Sequence, residues 1–138
     1  MSAPGGLLEL LPQGRALRQD DLIQIIAEPL IAPVAGAGDC WRGLANLRGA
    51  LVGVADLGVL LDGSPTEGGV MVAISSSRGD FGLVCEGVSG NREFPAPDEL
   101  PDEPLEGDPE WLLPSPPGEP RVIDVELLLE DDRMKAGR

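Results

Sequence analysis

Val54-Ala55-Asp56-Leu57-Gly58-Val59-Leu60-Leu61-Asp62 and Val122-Ile123-Asp124-Val125-Glu126-Leu127-Leu128-Leu129-Glu130 are two versions of one pattern. Each ends an apolar, strand-like run at an aspartate, follows it with an apolar turn containing a leucine pair, and stops at an acid. An aspartate in that place can accept the first exposed amides of a helical turn. Two strand–Asp–helical-turn units in one short chain predict two similar subdomains, each closing a small β-barrel with the same device. Chance similarity between two capped apolar segments is the competing reading.

Outward from the first unit the chain keeps the look of short strands. Upstream, Trp41 to Gly49 and Ala50 to Ala55 read as two extended stretches joined at a glycine, with glycines placed for a bulge or a barrel corner. Leu7 to Leu11, then Pro12-Gln13-Gly14, then a run ending in Leu22-Ile23-Gln24-Ile25-Ile26 read as a hairpin. Pro29 and Pro33 bracket Leu30-Ile31-Ala32 as an edge segment, since proline cannot donate to a ladder. Downstream, Val70 to Ile74 and Phe81 to Val88 are rich in β-branched residues and flank the polar turn Ser75 to Asp80, a second hairpin. Arg78-Gly79-Asp80 spells an integrin-ligand tripeptide, but Gly and Asp are ordinary hairpin-tip residues for backbone reasons.

Between Pro95 and Pro120 the composition changes. Nine of the 14 prolines fall there, and no basic residue lies between Glu93 and Arg121. Such a stretch reads as an extended, self-repelling acidic loop at 95–120. Trp111-Leu112-Leu113 is its apolar anchor, either docked on the barrel or exposed as an interface hot spot. Residues 131–138 read as a flexible tail. The whole of 1–138 is thus one domain of two subdomains: all-β with a few short helices.

Composition narrows the function. With 42% hydrophobic and 25% charged residues the chain belongs with soluble globular proteins. A formal net charge of −14, from 24 acidic and 10 basic residues, opposes nucleic-acid binding, which depends on Lys and Arg displacing counterions. It favours a basic protein surface or simply confers solubility. No apolar run approaches the roughly 20 residues that span a bilayer, so no direct membrane insertion is expected. The start of the sequence has no secretory pattern, and the reading is cytoplasmic. Cys40 and Cys85 read as buried thiols rather than a disulfide.

Histidine and tyrosine are absent, and Lys135 is the single lysine. The usual general base, the commonest transition-metal ligand and the phosphorelay acceptor are therefore missing. Serine triads and cysteine–histidine dyads are excluded. The reading is a protein that is not an enzyme and carries no cofactor or metal.

The run Trp41, Gly43, Leu44, Asn46, Leu47, Arg48, Gly49, followed by Ala55-Asp56-Leu57, resembles the central signature of the CheW-like chemotaxis coupling family. Ile23-Gln24-Ile25-Ile26 and Ile31-Ala32-Pro33-Val34 are similar to its upstream strand and turn, and Gly82 to Val88 to its later strand. The resemblance spans Leu7 to Glu130. The acidic detour after Val88 looks most like the variant attached to type IV pilus twitching systems.

The resemblance implies two five-stranded, SH3-like β-barrels around a shared core, and a scaffolding activity. One surface would meet the regulatory domain of a CheA-type histidine kinase. Another would meet the cytoplasmic tip of a methyl-accepting chemoreceptor, placing the protein at the inner membrane only through a receptor array. Carried onto this chain, the partner-binding residues are Asn46, Arg48, Gly49, Asp56, Leu57 and Glu86. Arg48 is either a two-point donor to a receptor carboxylate or a buried guanidinium joining the barrels. Leu44, Leu47 and Leu51 are expected in the core. The family's customary residues are replaced at Gln24, Gly53, Gly58 and Gly87, which puts standard partners in question.

Two other readings compete. An acidic decoy or inhibitor occupying a basic partner surface would need Asp98 through Glu110 and would lose affinity steeply with salt. A carboxylate hydrolase would need two acids facing each other across a cleft, and no pair stands out.

Overall fold

Asp56 ends a strand, Asp124 directly follows one, and each caps a short helix, as the repeated pattern predicts. Strand β5 (Ala50–Asp56) runs into α1 (Leu57–Asp62), where the Asp56 carboxylate accepts from the Gly58 amide. Strand β9 (Arg121–Ile123) leads to α2 (Val125–Leu129), where Asp124 accepts from the Leu127 amide. Gly63, at φ 79°, stops α1 in the left-handed conformation that glycine adopts without penalty.

The computed structural model describes residues 6–11, 14–34, 40–67, 69–92, 109–113, 120–131 and 134. The remaining strands are β1 (Leu7–Leu11), β2 (Arg15–Arg18), β3 (Leu22–Ala27), β4 (Trp41–Leu47), β6 (Val70–Ser76), β7 (Gly79–Cys85) and β8 (Gly87–Arg92). They form a five-stranded sheet ordered β3-β6-β7-β5-β4 and a four-stranded sheet ordered β8-β1-β2-β9. The fold is all-β with short helices.

The repeat extends to the pairing. In the larger sheet, β6 and β7 form an antiparallel hairpin and β5 lies parallel to β7. In the smaller, β1 and β2 form the hairpin and β9 lies parallel to β2. Trp41 pairs antiparallel with Ala55, and Leu112 bridges antiparallel to Ile123. The amide of Asp56 donates to the Cys40 carbonyl and that of Asp124 to the Trp111 carbonyl, each at 2.7 Å. Trp111 and Leu112 therefore stand in the second half where Cys40 and Trp41 stand in the first.

Neither sheet closes by a continuous ladder. In the larger, the segment after β3 reaches β4 through the Ala32–Leu44 bridge. In the smaller, the Leu112–Ile123 bridge takes the place of a fifth strand.

Alternation along the strands divides the apolar residues between two kinds of core. Val72, Ile74, Phe81, Leu83 and Ala55 of the larger sheet join Leu8, Leu10, Leu17 and Ile123 of the smaller in one shared core, which α1 and α2 also enter. Met71, Val84, Val54 and Ala45 face the other way into the interior of the larger sheet, and Leu7, Ala16 and Val122 into that of the smaller. A fully buried leucine contributes about 1.5–3 kcal/mol, so the shared core is what makes the two halves one body. Cys40 and Cys85 lie in it as thiols, and burial pushes Cys85 up to about 11.

Three boundaries differ from the sequence reading. The strand expected over Phe81 to Val88 breaks at Glu86, whose amide donates to the Leu11 carbonyl, and β8 crosses to the smaller sheet. The partner of β1 is β2; a 3-10 turn at Gln19–Asp21 then sends Leu22–Ala27 to the larger sheet. Packing continues past residue 130, where the tail was placed, because Met134 is buried in the shared core. Trp111 is docked, at 1% exposure, which excludes the exposed hot-spot reading. Apart from Pro109 to Leu113 and Pro120, the acidic loop at 95–120 lies outside the described residues.

Candidate functional site

The β4–β5 connection has two residues, Arg48 and Gly49, between the paired Leu47 and Ala50. Both have positive φ, 53° and 88°, the geometry of a type I′ turn. Glycine and asparagine suit that turn; arginine in the left-handed region costs about 1–2 kcal/mol. The Asn46 side chain offsets part of this by accepting from the Gly49 amide at 3.0 Å. Asn46, Arg48 and Gly49 are all exposed. Arg48 is thus no buried link between halves; it is a guanidinium held out on a tight tip.

Asp56 and Leu57 are elsewhere and otherwise employed. Both are 0% exposed. Burial pushes the Asp56 carboxyl up, but the Thr66 hydroxyl at 2.6 Å, Arg42 Nη1 at 2.9 Å and the Thr66 and Gly58 amides outweigh it and hold the group below the ordinary range. Arg42 Nη1 also donates to the Thr66 carbonyl at 2.8 Å. The carboxylate therefore ties β4, α1 and the loop through Thr66 together. It shapes a surface without reaching it, and Leu57 fills the shared core.

Glu86, exposed at the β7–β8 bend, borders a polar groove of ≈ 550 Å³ with Arg15, Asp62, Glu67 and the Ser64–Thr66 loop. The loop that Asp56 holds thus forms one wall of the groove that Glu86 faces.

A second, apolar groove of ≈ 330 Å³ opens where the larger sheet runs out from under α2. Trp41, Leu44, Gly53 and Phe81 line it from the sheet, Leu129 from α2, and Arg78 and Asp80 from the β6–β7 tip. Leu44 pairs with Gly53 and Asn46 with Leu51, so alternation puts all four on one face of the hairpin. Leu51 is 70% and Leu44 36% exposed, against their expected place in the core; Leu47, at 3%, is where it was expected. Because β5 and β7 run parallel, the Arg48 tip and the Ser77–Arg78 tip share one end of the sheet. Ser77 donates to Glu126, Arg78 pairs with Glu130, and Arg78 Nη1 donates to the Leu129 carbonyl, which pins α2 beside the groove.

Among the described residues no group of three or more Cys, Asp or Glu is placed to hold a metal, and no helix is long and apolar enough to cross a membrane.

A family model described as a CheW-like domain matches residues 11–112, well over half of the chain. The chain belongs to the CheW-like domain family. A solved CheW-like structure, the scaffolding protein TtCheW from Thermoanaerobacter tengcongensis, superposes with a TM-score of 0.70 over 88% of each chain. Identity is 16%, so this is a likeness of fold. No curated protein matches the chain in sequence.

Two departures from the family pattern have a local cause. A methyl on Gly58 would lie 2.5 Å from the Ser64 carbonyl oxygen and 2.8 Å from Thr66 Oγ1, so the closed cap of this CheW-like chain leaves no room for a side chain there. A methyl on Gly53 would lie 2.8 Å from the Trp41 ring, so glycine there makes room for the indole.

Of the residues put forward from sequence, the hairpin tip and Glu86 are accessible and lie on separate surfaces; Asp56 and Leu57 are internal. The sequence reading missed Arg42 and Thr66, the partners of Asp56, and the exposure of Leu51, the more exposed of the hairpin's large apolar side chains Leu44 and Leu51. Alternation around Asn46 was the available signal for Leu51: Leu51 pairs with Asn46, and the two share a face.

Proposed function

We propose that this chain is a non-catalytic scaffold that couples the cytoplasmic tip of a methyl-accepting chemoreceptor to the regulatory domain of a CheA-type histidine kinase. Membership in the CheW-like family gives the general role, that of a chemotaxis adaptor. The observation that carries the finer reading is Arg48: a guanidinium kept in a left-handed turn position against backbone preference, on the hairpin that also carries exposed Leu51 and the groove-lining Leu44 and Gly53. Unfavourable conformations persist where a function holds them. A hairpin that offers apolar side chains and a two-point cationic donor at its tip suits a helical partner carrying a carboxylate. In this reading Asn46, Arg48 and Gly49 meet the receptor, Glu86 belongs to a second surface facing the kinase, and Asp56 and Leu57 position both. The protein acts in the cytoplasm, at the inner membrane through the array, and its output is twitching or chemotactic movement.

Isothermal titration of the chain with the regulatory domain of a CheA-type kinase from the same organism tests the kinase arm. Binding at micromolar concentrations is expected, as for modest transient interfaces. Absence of binding at tens of micromolar, with the protein folded, contradicts it.

A further inference from the structure

Trp41 belongs to two structures at once. Its ring lies against Gly53 in the floor of the apolar groove. Its indole N–H donates to the Met134 carbonyl at 3.0 Å across 93 positions of sequence. Met134 is itself fully buried, with its sulfur 3.9 Å from that of Cys40. Its amide closes a turn on the Asp131 carbonyl at 2.9 Å. Asp131 Oδ2 accepts from the Trp111 indole N–H at 3.0 Å. Both tryptophans of the chain therefore grip one short turn.

That turn follows directly on α2, whose Leu129 forms the opposite wall of the groove. One wall of the groove is built by α2, and the floor is held through the turn that ends it. A part-buried indole donor that loses its acceptor is left unsatisfied, which makes the Trp41 position depend on the turn.

We propose that the C-terminal turn closed by Asp131 and Met134 is a strap that holds the Trp41 indole in the groove floor, so that strap docking and groove shape are coupled. The coupling runs both ways. A side chain entering the groove that displaces the indole loosens the strap, and a docked strap presents the groove ready-formed. The proposal concerns the groove itself and stands apart from which partner uses it.

Methyl and amide NMR on the full chain tests it with two substitutions acting from opposite sides. Trp41→Phe removes the donor and keeps an aromatic ring. Gly53→Ala pushes on the indole ring, which supplies the three atoms nearest the added methyl. Met134 amide exchange should quicken about tenfold in Trp41→Phe, the size expected for one net hydrogen bond. In Gly53→Ala the Met134 methyl signal should shift and its amide exchange faster. Deletion of residues 131–138 should shift the Leu44 and Leu129 methyl signals; if that variant does not fold, the two substitutions decide. With strand amides unchanged in both, a Met134 methyl and exchange rate identical to the parent protein overturn the proposal.

Discussion

Arg42 Nη1 lies 2.9 Å from Asp56 Oδ2, and while the arginine is 34% exposed the aspartate is fully enclosed. The asymmetry decides what each side chain is worth. Arg42→Ala removes one charge-assisted bond, and the carboxylate keeps its bonds from Thr66 and Gly58; a loss of about 1.5–3 kcal/mol is expected. Asp56→Ala strips the Thr66 amide of its acceptor, leaves the Gly58 amide only a 3.3 Å bond to Thr66 Oγ1, uncaps α1 and frees the loop of the polar groove. A loss of about 3–5 kcal/mol follows, as when one member of a buried pair is removed. Urea unfolding of the two variants checks the order; equal losses would show that the ion pair and not the cap dominates.

The same carboxylate sets the acid limb of stability. In the folded chain the Asp56 pKa lies below its ordinary value, as does that of Glu126, which the Ser77 hydroxyl and amide hold down. For a depressed acid the unfolded chain takes up the proton first, near pH 4. Stability is therefore complete above that pH and is lost as pH falls through the folded values. Asp21 has the opposite sign. Burial raises it, neighbouring Asp20, Asp124 and Glu126 add to this against Arg18, and its buried Oδ2 meets no hydrogen-bond partner among the described residues. Its ionisation, complete above the raised folded value, weakens the fold. Asp21→Asn should raise the urea midpoint at pH 7, and Asp56→Asn should flatten its fall between pH 5 and pH 3. A midpoint for Asp56→Asn that falls as steeply as the parent's contradicts this assignment.

Much of the fold was legible because its determinants are local. The Asp56 and Asp124 caps, the join at Gly49 between two extended stretches and the Val70–Ser76 and Gly79–Cys85 hairpin each follow from a few neighbouring residues. What was not legible is which sheet a strand joins. Glu86 carries no mark in sequence that β8 leaves for the smaller sheet, because that choice is made by a bond to Leu11. The site divided the same way. Asn46, Arg48 and Gly49, carried over from the family resemblance, lie on an exposed hairpin tip, whereas Asp56, legible as a cap and placed at a partner surface by the same resemblance, is internal. Only its enclosure by Arg42 and Thr66, 14 and 10 positions away, makes it internal.

Arg48 separates stability from binding. Arg48→Gly places at φ 53° the residue best suited to it. The gain is partly offset by the entropy of glycine in the unfolded chain, leaving about 0–1 kcal/mol of added stability. Affinity for the receptor tip should fall at least about tenfold, as for loss of an interface hot spot. A variant that is both more stable and fully competent would remove Arg48 from the binding surface.

Leu51, 70% exposed, makes the apolar part of the same case. Leu51→Asp should leave the thermal midpoint nearly unchanged, because exposed positions shift stability by roughly 0.5 kcal/mol or less. It should weaken receptor-tip binding about tenfold or more in titration calorimetry. Unchanged affinity would place the receptor surface away from this hairpin.

The central claim is coupling, and reconstitution measures it directly. A CheA-type kinase from the same organism is mixed with receptor cytoplasmic fragments, with and without the chain, and kinase autophosphorylation is followed. Autophosphorylation that responds to the receptor only when the chain is present is the predicted result. A rate that ignores the chain, with all three proteins folded and at concentrations well above micromolar, would contradict it.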